Sequence, residues 1–428
     1  MTMKFIDGGV TAPQGFQAAS IYAGVKVCAC MTEKEAAAYS KKLRAGELKP
    51  EAKDDLALIF AESPCNAAGV FTSNLVKGAP IEICQKHLKD GRAQAIIANS
   101  GNANTCNADG VDKAEAMADA AAEALVIRED DVLVASTGVI GQPLPIHPIL
   151  SMVPALTAKL STSGSLQAAK AIMTTDTKPK NIAVELQLGD KTVRIGGISK
   201  GSGMIHPHMC TMLCFLTTDA AIDSKALDKA LRLAVTDSFN MLSVDEDMST
   251  NDTCLILADG KAGNAEITEG SADFQKFTSA LKELCVRIAC SMAKDGEGAT
   301  KLLVCKVSGA ANDESARKAA KAVICSSLVK AAMFGADANW GRVLCAVGYC
   351  GAKVDIHKVD VDFLSSAGQI GVCREGAGIP FDEVLAKKVL SEDEITIQVA
   401  LHDGKASAAA FGCDLTYDYV KINGDYRT

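Results

Sequence analysis

The sequence predicts a layered α/β sandwich with mixed and antiparallel sheets, and two observations carry the prediction. Short β-rich apolar runs alternate with Ala-rich amphipathic segments along the whole chain. In addition, Gly-Asp and Asp-Gly pairs join β-rich runs closely enough for antiparallel hairpins, which a purely parallel sheet does not contain.

In chain order, residues 94–98 and 131–135 read as buried strands. Between them, Val111 to Leu125 carries Ala, acids and Lys113 at helical spacing. Ile182 to Leu188 and Thr192 to Ile198 meet at Gly189-Asp190, a two-residue hairpin turn. Residues 211–217 form the next strand. The second half repeats the style, with helices over 224–241, 273–293 and 313–333. Its strands are expected over 253–257, 301–308, 394–401 and 406–412, the last two joined as a hairpin at Asp403-Gly404.

At 428 residues the chain holds two or three domains' worth of core, and 48% hydrophobic with 22% charged residues is ordinary globular usage. A net charge of −8 without a Lys/Arg block excludes nucleic acid as the main partner. The sixteen cysteines are scattered, with no CxxC, and several sit in apolar runs such as Val-Leu-Cys345. They are expected to be buried free thiols of a reducing compartment. The first residues lack the apolar core of a signal peptide, and no run reaches the ~20 apolar residues of a membrane span. The expectation is a cytoplasmic protein without membrane contact.

The chemically unusual stretch runs from Gly196 to Leu213: Gly-Gly-Ile-Ser-Lys200-Gly-Ser-Gly-Met-Ile-His206-Pro-His208-Met-Cys210-Thr211-Met-Leu. It lacks the third glycine of a dinucleotide fingerprint, and Lys200 precedes the glycines rather than following them as in a P-loop. His206 and His208 flank a proline without a nearby carboxylate, a poor metal pair, and no metal is expected. Two readings stay open on the residues alone. One is a Gly-rich surface loop leading into a strand. The other is self-cleavage at Cys210-Thr211, where a hydroxyl attacks its own preceding carbonyl and the freed α-amine becomes the base for that hydroxyl.

Lys200 to Ala220 resembles the self-processing site of the ornithine acetyltransferase (glutamate N-acetyltransferase) family of arginine biosynthesis. Further motifs are similar to that family in order along the chain. They include Asn99-Ser-Gly-Asn-Ala-Asn104, Ser136-Thr-Gly-Val-Ile-Gly141, Thr174-Thr-Asp-Thr177, Ser249-Thr-Asn-Asp-Thr253, Asp295-Gly-Glu-Gly-Ala-Thr300 and the terminal Asn423-Gly-Asp-Tyr-Arg-Thr428. The resemblance implies an N-terminal-nucleophile style of α/β sandwich, cut into interlocked chains 1–210 and 211–428 that assemble as an α2β2 heterotetramer. It assigns Thr211 as nucleophile, Cys210-Thr211 as the cleaved bond, and Thr137 with Gly138 as the oxyanion hole. It places Thr174, Lys200, Thr211, Glu297, Asn423 and Thr428 around the substrates, N-acetylornithine and glutamate. No cofactor is implied, while acetyl-CoA stays open as a second acetyl donor. A related self-processing aminopeptidase is the alternative activity. His208 and Cys210 depart from the family's usual Asn and Ala, which bears on the cleavage rate. Asp245-Glu246-Asp247 is expected to be a structural acidic loop.

Overall fold

A computed structural model describes residues 3–50, 53–206 and 212–425. Its strands are β1 (Met3–Ile6), β2 (Phe16–Ile21), β3 (Leu56–Phe71), β4 (Arg92–Asn102), β5 (Val132–Val139), β6 (Lys180–Leu188), β7 (Lys191–Lys200) and β8 (Leu213–Thr218). They continue with β9 (Leu242–Ser243), β10 (Thr253–Ala258), β11 (Leu302–Ala310), β12 (Asp360–Ser365), β13 (Gly368–Arg374), β14 (Ala377–Gly378), β15 (Glu394–Ala400) and β16 (Ala406–Cys413).

Nine strands form one sheet in the order β1-β6-β7-β8-β10-β3-β4-β5, with β2 also paired to β3. The β8–β10 and β4–β5 pairs are parallel and the others antiparallel, so the sheet is mixed as expected. A second sheet of seven runs β14-β13-β12-β15-β11-β16-β9. In the first sheet, β8 and β10 come from the second half of the chain and lie between β7 and β3 of the first half.

Strand alternation builds the cores on both faces of the first sheet. In β4, Ile96 and Ala98 join Leu133, Phe215 and Ile172 in one cluster. Ala95 and Ile97 face the other way, toward Met117 and Ala121 of the helix Gly110–Leu125. The long helix Ala272–Lys294 packs against both sheets. Its Leu281, Leu284, Ile288 and Met292 share a cluster with Ile195 and Leu216 of the first sheet and Leu303 and Cys305 of the second.

The Gly189-Asp190 hairpin forms as predicted, with Leu188 opposite Lys191. The Asp403-Gly404 hairpin does not, because β11 is inserted between β15 and β16. The N–H groups of Asp403 and Gly404 donate instead to Gly309 O at 2.7 and 2.8 Å, closing the end of β11. The predicted helix 224–241 ends at Thr236, where the buried Ser238 hydroxyl turns back to Ala234 O at 2.6 Å. The predicted helix 313–333 is two helices, Asp313–Cys325 and Ser327–Phe334. Ser326 leaves the helical region between them and its hydroxyl accepts from Val329 N.

All fifteen described cysteines are free and nine are buried, the positions at which a thiol acts as a small hydrophobe. Cys30, Cys106 and Cys345 are exposed, against the expectation of burial. No helix among the described residues is long and apolar enough to cross a membrane.

Candidate active site

The Ser136-Thr137-Gly138 segment sits where β5 loses its ladder with β4. Asn102 faces both Thr137 and Val139, so the pairing slips at this turn. Gly138 has φ +134°, and a Cβ there would meet Gly101 C at 2.4 Å and Asn102 N at 2.5 Å. Only glycine fits this approach of two backbones. Behind the turn, the Ser136 hydroxyl donates to Asn99 Oδ1 at 2.6 Å, and Asn99 Nδ2 donates to Asn102 O at 2.9 Å.

Lys200 ends β7 and is only 3% exposed; its ammonium lies 3.4 Å from the Thr137 hydroxyl. Burial lowers its pKa; Asp176, Glu297 and Asp252 oppose that shift, and Lys180 adds to it. Below Lys200, Asp176 accepts from Gly201 N at 2.7 Å and from Lys180 Nζ at 2.6 Å, and its other oxygen accepts from Thr174 N at 3.1 Å. Lys180 also pairs with Asp295, which receives the N–H groups of Thr177 and Lys178. Burial would raise the Asp176 pKa, but Lys200, Lys180 and the Gly201 N–H outweigh it and bring it down to about 2. A buried network of two carboxylates and a lysine therefore fixes both the Thr174 segment and the chain leaving Lys200.

Glu297 follows the long helix, its N–H donating to Ser202 O at 2.8 Å. Its carboxylate lies against Gly203, where a Cβ would come within 2.3 Å of it. Asn423 of the C-terminal helix Tyr417–Asp425 donates to Glu297 Oε2 at 2.8 Å.

One cavity is lined by Thr137, Gly138, Thr174, Lys200, Glu297 and Asn423 together. Six residues singled out in five separate segments thus converge on one space, with a cation at one wall and a carboxylate at another. Such a lining can hold a zwitterionic amino acid. Cys210, Thr211 and Thr428 lie outside the described residues, as does His208. Their flanks are described: Met212 N donates to Asp252 Oδ1 at 2.8 Å, and Thr253 N donates to Met212 O at 3.0 Å.

The same cavity is lined by Ser249, Thr250 and Asn251, to which the motifs assigned no role. Asp252 beside them is fully buried; burial pushes its pKa well above the usual carboxylate range, against the Met212 N–H and Lys200. Its Oδ2 has no hydrogen-bond partner among the described residues. Asp245 of the acidic loop plays the structural part expected of it. It accepts from Met204 N at 2.6 Å, Ile205 N at 2.8 Å and the Tyr419 hydroxyl at 3.2 Å, tying the chain ahead of Pro207 to the C-terminal helix. No group of three or more His, Cys, Asp or Glu able to hold a metal occurs among the described residues.

The model of the ArgJ family matches residues 40–428. Over 427 residues the chain is 50% identical to the arginine biosynthesis bifunctional protein ArgJ of Symbiobacterium thermophilum, covering 100% of both chains. It is 47% identical over 427 residues to the protein of the same name from Caldanaerobacter subterraneus subsp. tengcongensis, again covering 100% of both. Among solved structures it is similar to the ornithine acetyltransferase of Mycobacterium tuberculosis complexed with ornithine. That match is 35% identical with a TM-score of 0.40, covering 50% of this chain and 100% of that one.

Proposed function

The chain belongs to the ArgJ family, and from that membership we propose that it moves the acetyl group of N-acetylornithine to glutamate through an acetyl ester on Thr211. Acetyl transfer in arginine biosynthesis is the activity of the enzyme; the residues and steps are our assignment.

The chain first cuts itself. The Thr211 hydroxyl attacks the Cys210 carbonyl, the C–N bond breaks with its proton going to the Thr211 nitrogen, and water hydrolyses the resulting ester. The halves 1–210 and 211–428 stay together, two of each per α2β2 molecule in the cytoplasm. The new Thr211 amine, with an ordinary pKa of about 7.7–8.0, then takes the hydroxyl proton as Thr211 attacks the acetyl carbonyl. The Thr137 hydroxyl and Gly138 N–H receive the developing oxyanion. Ornithine leaves with the proton, and the glutamate amine attacks the ester to regenerate the Thr211 hydroxyl. Lys200 holds the substrate α-carboxylate, and Glu297 with Asn423 holds its amino groups. Thr174 and Thr428 complete the pocket. No metal or cofactor takes part in this sequence, and acetyl-CoA enters only as an alternative donor.

The observation that supports the reading is the convergence of Thr137, Gly138, Thr174, Lys200, Glu297 and Asn423 on one cavity. The test is a denaturing mass spectrum of the chain beside Thr211→Ala, with labelled acetyl transfer measured on both. Two fragments, the second beginning at Thr211, with an intact inactive variant, are expected. An uncut wild-type chain that still transfers acetyl groups overturns the mechanism. Net hydrolysis of N-acetylornithine without transfer to glutamate overturns the substrate pair.

A further inference from the structure

We propose that Asn251 is the positioning residue of the oxyanion turn, and that with its neighbour Asp252 it sets that turn relative to the start of β8. The inference rests on the assignment of Thr137 and Gly138 as oxyanion donors.

Asn251 is 7% exposed, and its side-chain amide is fully engaged. Nδ2 donates to Ser136 O at 3.0 Å and to Ala103 O at 2.6 Å. Oδ1 accepts from Thr105 Oγ1 at 2.7 Å and Thr250 Oγ1 at 2.5 Å. All four hydrogen-bonding positions of an amide are thereby used, and rotating it breaks buried bonds. The carbonyl of Ser136 and the N–H of Thr137 belong to one peptide plane, so a donor fixed on that oxygen fixes the plane entering Thr137. Ala103 in turn donates its N–H to Val139 O at 2.9 Å. The Asn251 amide therefore holds the main chain on both sides of Gly138.

The next side chain grips the opposite wall. Asp252 Oδ1 accepts the N–H of Met212, the residue bonded to Thr211. Two consecutive residues on the loop entering β10 thus hold the oxyanion turn with one side chain and the residue after the nucleophile with the other. Oxyanion donors lose their effect when misplaced by about 1 Å. Asn251 acts through Thr137 and Gly138 and is a positioning residue.

The test uses the full chain with Asn251→Asp, which keeps the shape and the acceptor but removes both donors. Rates are counted per cleaved chain, alongside the dissociation constant for ornithine and thermal melting. Asn251→Asp is expected to lower kcat about 30- to 100-fold with KM and ornithine affinity within about threefold of wild type, the signature of a loss felt in the transition state. An uncut chain that melts like wild type is the same result read at the cleavage step. A loss carried by KM, or wild-type kcat, overturns the inference. Should Asn251→Asp not fold, Thr105→Val removes one hold on the amide; a kcat loss of about 3- to 10-fold at unchanged KM is expected, and none overturns the proposal. Thr137→Ala with wild-type kcat would instead overturn the oxyanion assignment, and this inference with it.

Discussion

The Lys200 ammonium lies 3.4 Å from the Thr137 hydroxyl, with both side chains buried. A cation donating to that hydroxyl makes it a better donor in its own turn, so under the proposed assignment the pair would act as one unit toward developing negative charge.

Replacing the cation is therefore expected to cost more than substrate affinity. Lys200→Met should lower kcat/KM at least about 100-fold with kcat falling as well as KM rising. Because burial lowers the Lys200 pKa, the ammonium is lost at a lower pH than an ordinary lysine's. Activity should accordingly fall on an alkaline limb that Lys200→Arg shifts upward, measured as kcat/KM against pH. A limb unmoved by the arginine would remove Lys200 from the reaction.

Gly138→Ala places a methyl group against two backbones at 2.4 and 2.5 Å, on a φ of +134°. Either the turn moves or the strand exit does. The expected result is an uncut chain or one with kcat reduced more than about 100-fold, with melting lowered by several degrees. Mass spectrometry and calorimetry check it, and wild-type processing would contradict it.

Asp176→Asn leaves Lys180 and Lys200 short of a carboxylate inside the protein, and breaking such a buried pair costs about 3–5 kcal/mol. The sign in wild type follows from its folded pKa of about 2 against an unfolded value near 3.9. The contribution is present above about pH 4 and is lost as pH falls toward 2. Urea unfolding of the variant should be weaker at neutral pH and should lack that acid dependence. Equal stabilities at neutral pH would contradict the network.

The C-terminal helix Tyr417–Asp425 buries none of its residues, yet Asn423 reaches Glu297 and Tyr419 reaches Asp245. Asn423→Ala and truncation after Thr416 should raise KM for the amino-acid substrates by about tenfold or more while leaving melting within a few degrees. Substrate kinetics beside calorimetry decide it. A large drop in melting with unchanged KM would make the helix a structural brace.

What could be read from the sequence was local. The turn at Gly189-Asp190 joins strands that pair directly, so its chemistry sufficed. Asp403-Gly404 carries the same signal, but β11, a hundred residues earlier, occupies the space between its strands, and no window of sequence contains that fact. The site divides in the same way. Thr137, Gly138, Lys200 and Glu297 are identified through motifs whose members are neighbours in sequence. Asn251 lay in such a motif without a role, because its amide bonds reach 115 and 148 residues away. Asp176 went unassigned for the same reason: a carboxylate that grips backbone N–H groups looks like any polar residue until the chain is folded.

The placement of β8 and β10 between β7 and β3 also orders events during synthesis. A ribosome that has released only the first 210 residues presents β7 and β3 with open edges and nothing to join them. Such edges invite pairing with other chains. Only when the next fifty residues emerge do two strands slot into the gap and close the sheet. The sheet therefore closes only on a polypeptide made in one piece, and a gene encoding the first half alone would yield a product prone to aggregate. The proposed cut would then leave the later strands locked between the earlier ones by main-chain hydrogen bonds on both sides, and would free a terminus without freeing a fragment.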